Sequence, residues 1–298
     1  MMKKYICIDI GGTAIKHGVA DEGLRLLEKS EIPTKSQVDG GPGIVKKVLK
    51  LVENWRRCYD ISGVAISTAG MVEPKEGRII YSCELIPGYT GTELKKIVEA
   101  ASGLPCAVEN DVNCAGLAES VTGAGKGASS CLCLTVGTGV GGCLILNGEI
   151  YHGFSNSACE AGYLSVGGES LQEKAAASVL VRKIADLRGI SEDQLDGKQI
   201  FSEAQKGAAD CVQAIDEMVE ALSLGIADMV YILNPEVVVL GGGIMTQREY
   251  LEKRLQAALS EKIIPAVYRN TRLAFAQNGN DAGMVGALLN LLKEEKSR

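Results

Sequence analysis

The chain reads as an α/β protein made of two related halves, and three observations predict this. A strand, a glycine-threonine bend and a returning strand occur together twice, once in KYICIDIGGTAIK (Lys4 to Lys16) and again from Cys131 to Leu146. Around these units, apolar runs of strand length alternate with amphipathic helical patterns. A further apolar run, Glu236 to Leu240, leads straight into Gly241-Gly242-Gly243, which makes three glycine bends at strand ends, where open α/β sheets collect ligands.

Taken in order, Tyr5 to Ile10 is almost unbroken strand former. Gly11-Gly12-Thr13 turns it, and a third strand around Leu24 to Ile32 completes an antiparallel meander. A helix is expected from about Pro42 to Arg57, with Ile44, Val45, Val48, Leu49 and Val52 on one face. The strand Ile61 to Ile66 ends in Ser67-Thr68-Ala69-Gly70, which reads equally as a tight turn or as a ligand edge with Gly70 as substrate contact.

A short helix from Gly91 to Ala101 precedes the strand Cys106 to Val108. Glu109-Asn110-Asp111-Val112-Asn113 comes next, and then a helix of small residues from Cys114 to Ser120. Polar groups crowded where a buried strand meets a helix are expensive to desolvate unless they cap the helix or do chemistry. Asp111 fits either role, but a cap needs one such residue and four stand here.

The glycine-rich Thr122 to Ser130 reads as a linker between halves. The expected domains are therefore 1–120, completed by a C-terminal helix 281–298, and 121–280. In the second half, Cys131 to Val136, Gly137-Thr138-Gly139 and Val140 to Leu146 repeat the opening theme, and a loop follows to Gly168. Helices are expected over Leu171–Leu187, Lys198–Gln205 and about Ala208–Leu233. The last carries a core stripe of Val212, Ile215, Val219, Leu222 and Ile226. A helix 246–259, a strand 271–275 and a closing helix Asp281–Leu292 finish the chain.

Composition narrows the function classes. With 46% hydrophobic and 23% charged residues the chain is an ordinary globule, and its net charge of -6 without basic clusters weighs against a nucleic-acid partner. No apolar run reaches membrane-spanning length and Asp9 interrupts any signal-like stretch, so a cytoplasmic protein with no membrane partner is expected. The ten cysteines read as reduced, buried small hydrophobes, and no four Cys or His residues have zinc-finger spacing. The two histidines, His17 and His152, leave few candidates for nucleophilic catalysis, and His17 on a strand reads as structural.

None of the glycine bends matches a P-loop or a dinucleotide fingerprint. Together they fit a site in which backbone amides of Gly11, Gly12, Thr13, Gly137, Thr138 and Gly139 hold phosphates and Gly241-Gly242-Gly243 faces a nucleoside. Lys16 adds a cation. Asp9 is positioned to hold magnesium, through water, and Asp111 to accept the proton of an attacking hydroxyl.

The segments Asp9–Lys16 (DIGGTAIK), Glu109–Ala115 (ENDVNCA), Thr135–Gly142 (TVGTGVGG), Val237–Ile244 (VVVLGGGI) and Asn280–Gly286 (NDAGMVG) resemble the ROK family of repressors, open-reading-frame proteins and sugar kinases. The resemblance covers nearly the whole chain. It implies an actin-like ATPase (ribonuclease H-like) fold whose two α/β domains hold sugar and ATP in an interdomain cleft. It further implies Asp111 as base, Asn110, Glu160 and Glu173 as sugar ligands, and a homodimer.

Zinc-containing members follow the glutamate motif with a histidine and a cysteine cluster. Here Tyr163 stands at the histidine position, near the sugar's anomeric end, and no cysteine lies between Cys159 and Cys211, so no zinc site is expected. The expected activity is ATP- and Mg2+-dependent phosphorylation of the 6-hydroxyl of a hexose, hexosamine or glycoside, of the glucokinase or N-acetylmannosamine kinase type. The alternatives are a β-glucoside kinase and a sugar-sensing regulator without catalysis. A regulator would place a DNA-binding helix pair before the first hairpin, where only eight residues precede Asp9.

Overall fold

A computed structural model describes residues 2–84 and 86–297. Its elements, in order, are strands β1 (Lys4–Ile10), β2 (Ala14–Asp21) and β3 (Leu26–Pro33), helix α1 (Ser36–Cys58), strands β4 (Gly63–Thr68), β5 (Met71–Glu73) and β6 (Arg78–Tyr81), helix α2 (Leu94–Ser102), strand β7 (Cys106–Asn110) and helix α3 (Asp111–Thr122). Strands β8 (Ser130–Val136), β9 (Val140–Leu146), β10 (Glu149–Ile150), β11 (Ser165–Val166) and β12 (Glu169–Ser170) follow. Then come helices α4 (Leu171–Ala175), α5 (Ala177–Arg188), α6 (Gly197–Gln205) and α7 (Ala209–Leu233), strand β13 (Val237–Gly241), helices α8 (Arg248–Lys262) and α9 (Pro265–Tyr268), strand β14 (Arg272–Phe275) and helix α10 (Ala282–Ser297).

The chain divides into two compact units. One comprises residues 1–118, 152–157 and 280–298, the other 119–151 and 158–279. In the first, the sheet order is β3-β2-β1-β4-β7, with the β1–β2–β3 meander antiparallel and β1–β4–β7 parallel. In the second it is β10-β9-β8-β13-β14, again with the first three strands antiparallel and the rest parallel. The same order and the same change of direction appear in each sheet, so the repeated strand-bend-strand theme is a repeated topology. Parallel strands buried on both faces need continuous apolar sequence, which VVVLG in β13 and GVAIST in β4 supply with every residue buried.

Several boundaries differ from expectation for local physical reasons. The division between units falls inside α3, after Ala118, and not in the glycine-rich stretch. There the buried Glu119 carboxylate accepts from the amides of Ala124 (2.9 Å), Gln277 (2.9 Å) and Asn278 (2.7 Å), which ties this part of α3 into the second unit. The stretch His152–Ser157 belongs to the first unit, although 121–280 was expected to be continuous.

Helix α1 begins at Ser36 and is broken at Gly40, whose φ of 57° is open to glycine at little strain. Its regular part starts near Pro42, as the spacing predicts. Strand β4 runs through Thr68 and β7 through Asn110, each about two residues beyond the apolar run, because ladder bonds to a neighbouring strand hold polar residues as well as apolar ones. The hairpin β5–β6 is too short for its alternation to be seen in sequence. The expected helix 171–187 is two helices, α4 and α5, parted at the extended Ala176.

Candidate active site

In the first unit, Asp9 stands opposite Lys16 in the β1–β2 register, and their charged groups lie 3.6 Å apart. Ser67, buried in β4 directly beside Asp9, donates to its Oδ1 at 2.7 Å. The third wall is glycine: a Cβ on Gly283, at the start of α10, would stand 2.5 Å from the Asp9 carboxyl carbon. Only a bare backbone lets the helix approach this closely.

The bend at Gly11-Gly12-Thr13 is held from behind. The hydroxyl of Thr34 donates to the Gly11 carbonyl (2.6 Å) and that of Ser36 to the Gly12 carbonyl (3.0 Å), while Gly11 N–H closes onto Ala14 O. The amides of Gly12 and Thr13 donate to no group among the described residues, which is what an anion-binding turn requires.

Asp111 is the first residue of α3, and Asn110 is its cap. The Asn110 Oδ1 accepts from the amides of Val112 (2.9 Å) and Asn113 (3.0 Å), filling donors that a helix start leaves open. Its Nδ2 donates to Gly70 O (2.9 Å) and to Asp111 Oδ1 (3.0 Å). Asn110 therefore fastens the Gly70 turn and orients Asp111, and its amide has no spare hydrogen in this arrangement.

Asp111 Oδ1 also takes the Val112 amide at 3.0 Å, while Oδ2 accepts from nothing among the described residues. Burial, then the nearby negative charge of Asp9, pushes the Asp111 carboxyl up to about 7 against bonds that favour the anion. A carboxylate that titrates near neutrality beside an open oxygen has the properties of a general base.

Behind this turn lies Glu109, fully buried. Its Oε1 accepts from Asn110 N (2.8 Å) and Asn113 Nδ2 (2.9 Å), and its Oε2 pairs with His152 Nε2 at 2.7 Å. Nothing in the local sequence around His152 points to this, because the two residues lie 43 positions apart. His17 is structural, as expected: it is buried, and its Nδ1 accepts from Trp55 Nε1 at 3.1 Å.

The second unit repeats the bend. Gly137 N–H closes onto Gly139 O (2.9 Å), Ala177 N–H holds the Gly137 carbonyl (2.8 Å), and the Ser178 hydroxyl holds that of Thr138 (2.6 Å). The amides of Thr138 and Gly139 again donate to no described group. Gly242, at φ 96°, lies so close to Val136 that a Cβ would meet the Val136 amide nitrogen at 2.7 Å. Gly137, Thr138, Ser178, Gly243, Ile244 and Gln247 help to line a cavity of about 590 Å³, within the range of small-molecule sites. Of the glycine triplet, Gly241 closes β13 and Gly243 reaches the cavity wall.

Glu160 precedes a short 3-10 turn, Ala161–Tyr163, and burial raises its carboxyl above the ordinary range. Tyr163 is exposed. Gln172 connects this turn with the bend: its Oε1 lies where Cβ atoms on Gly139 and Gly162 would meet it, at 3.2 and 3.0 Å. Glu173, expected as a sugar ligand, has a local structural partner. It caps α4, accepting from Ser170 N (3.0 Å) and Ser170 Oγ (2.6 Å), and borders a separate cavity of about 1090 Å³ along α7.

Among the described residues, no group of three or more His, Cys, Asp or Glu side chains is placed to hold a metal ion, and no helix is long and apolar enough to cross a membrane.

Two like-ordered mixed sheets, each with a glycine-threonine bend, define a chain of the actin-like ATPase fold. The match is full-length with a ROK family glucokinase from Streptomyces griseus, solved in complex with glucose and AMPPNP (TM-score 0.82, 28% identity, 96% of this chain and 98% of that one). The ROK family model matches residues 5–294, and the chain belongs to the ROK family. Its relatives include an uncharacterized protein of Clostridium perfringens (47% identity over 97% of this chain and 98% of the relative) and the beta-glucoside kinase of Listeria monocytogenes (34% identity, 98% of each).

Proposed function

We propose that this chain is an ATP-dependent sugar kinase that transfers the γ-phosphoryl group to the 6-hydroxyl of a hexose, hexosamine or glycoside. Support comes from the family and from relatives named as glucokinase and beta-glucoside kinase. The observation that carries the reading is Asp111, capped and aimed by Asn110, with one oxygen open and its carboxyl pushed up to about 7.

In this reading the carboxylate of Asp111 takes the proton of the sugar hydroxyl. The sugar oxygen attacks the γ-phosphorus, the bond to the bridging β-phosphate oxygen breaks, and ADP leaves. The free amides of Gly12, Thr13, Thr138 and Gly139 are the proposed phosphate donors. The cavity beside Thr138, Ser178 and Gly243 is the proposed nucleoside site, with Gly241 and Gly242 shaping its approach. Asp9, already pressing its charge on Asp111, suits magnesium, which binds through one or two carboxylates and substrate phosphates and would offset that repulsion.

Gly70, Glu160, Tyr163 and Asn110 are the proposed sugar contacts, Asn110 by exchanging one of its two internal donor bonds for a sugar hydroxyl. Glu173, which completes the capping box of α4, is left out of the proposed sugar set. The protein is proposed to act as a homodimer in the cytoplasm, with no zinc, nucleic-acid or membrane partner.

The test is sugar-dependent ADP release over glucose, N-acetylmannosamine, N-acetylglucosamine, mannose, fructose and cellobiose. Turnover of at least one supports the kinase, and phosphorylation of cellobiose above glucose selects the β-glucoside alternative. No sugar-dependent release from any of them overturns the reading.

A further inference from the structure

We propose that His152 is a positioning residue for phosphoryl transfer: it holds the buried Glu109 carboxylate in the orientation that fixes the first turn of α3 and, with it, Asp111. The inference rests on the kinase reading above and adds to it a residue outside the recognised motifs.

Glu109 has no solvent to fall back on. Each of its oxygens is committed, Oε1 to Asn110 N and Asn113 Nδ2, Oε2 to His152 Nε2. A buried carboxylate deprived of a partner takes up a proton or turns to a new donor, since an unpaired buried charge is not tolerated. Either response disturbs Asn110 and Asn113, which flank Asp111 at the start of the helix. Asn110 is the critical link, because its Nδ2 holds the same Asp111 oxygen that the Val112 amide holds. His152 is thus connected to the proposed base by a short path, His152 to Glu109 to Asn110 to Asp111, lying wholly within one unit.

The placement of His152 is costly to arrange, which argues against an incidental contact. The residue sits at the start of the six-residue stretch that joins the first unit, while the chain on both sides belongs to the second. That stretch and its exit contain left-handed backbone at Gly153 (φ 70°), Asn156 (φ 58°) and Cys159 (φ 62°), two of them not glycine. The carboxylates facing His152 are Glu109 on β7 and Glu73 on β5, and the bond to Glu109 raises the imidazole above its ordinary value. Both the cation and the neutral tautomer protonated on Nε2 can donate to Glu109 Oε2, and the bond favours the cation relative to a free histidine.

Three variants test this, H152A, H152Q and E109Q, each assayed with the sugar that the wild type phosphorylates. The imidazoles of the two histidines are titrated in parallel by NMR. In H152A, kcat is expected to fall about ten- to a hundredfold, by analogy with the hydrogen-bonding partners that orient metal ligands, with KM for ATP within about twofold. H152Q carries an amide nitrogen near the lost Nε2 and is expected to recover kcat to within about fivefold of the wild type. In E109Q the His152 resonance is expected to titrate at lower pH while His17 is unmoved.

The proposal is overturned if H152A keeps kcat within about threefold of an active wild type, or if His152 titrates identically in E109Q. It is equally overturned if H152Q fails to recover kcat while unfolding at the wild-type denaturant concentration. A wild type that turns over no sugar fails the kinase reading, and this proposal with it. An active wild type with an indifferent H152A fails this proposal alone.

Discussion

Replacing Asp111 with Asn separates what the carboxylate does for catalysis from what it does to the fold. Asn matches Asp in shape, and its Oδ1 can still accept from Asn110 Nδ2 and the Val112 amide. Its Nδ2 falls where Asp111 Oδ2 has no described partner, so no bond is lost. What disappears is a charge that the folded chain resists, because burial and Asp9 push this carboxyl to about 7 from an ordinary 3.8.

The sign follows from proton linkage. Between these two values the folded state holds more protons at this position than the unfolded state, so stability falls as pH rises through the window. Above pH 7 the full penalty applies, up to about 4 kcal/mol, and at pH 5 less than half of it remains. D111N should therefore unfold at higher urea than the wild type at pH 8, with the advantage shrinking toward pH 5. In the same variant kcat should drop about a hundred- to ten-thousandfold, the usual loss for a general base. Wild-type kcat should fall about tenfold per pH unit below 7. Urea unfolding at pH 5 and pH 8, beside coupled ADP release from pH 5.5 to 9, measures both. A variant less stable than the wild type at pH 8, or one that keeps more than a tenth of wild-type kcat, refutes the reasoning.

Gly242→Ala places a methyl against the Val136 amide on a backbone at φ 96°; a loss of about 2 kcal/mol or more in unfolding free energy is expected, together with a raised KM for ATP. Wild-type stability in that variant would show that the bend can relax. Glu173→Gln retains the capping-box pattern, so unfolding and the KM for sugar should both stay near wild type. A sugar KM raised more than about tenfold would instead give that carboxylate to the sugar.

Much of this was legible in the sequence. The repeated strand-bend-strand units could be read because strand periodicity and glycine are local signals, while the shared order of the sheets built on them came from chain crossings. Asp9, Asp111 and the glycine bends stood out for the same reason: polar or bare residues interrupt buried strands at a strand end. Even the core stripe of α7 was visible, with Ile215, Val219, Leu222 and Ile226 buried and Val212 half-buried against the same core.

What the sequence by itself determined is thus the set of interruptions in its own periodicity, which places candidate chemistry to within a residue or two. Which partner each group meets was decided by tertiary structure alone. Asn110 caps α3, Glu173 caps α4, Ser67 reaches Asp9 across 58 positions, and His152 meets Glu109 across 43. The physical reason is that a buried polar group must be satisfied by whatever donor or acceptor the fold brings near. That neighbour is set by strand register and chain crossing, which no local pattern of residues records.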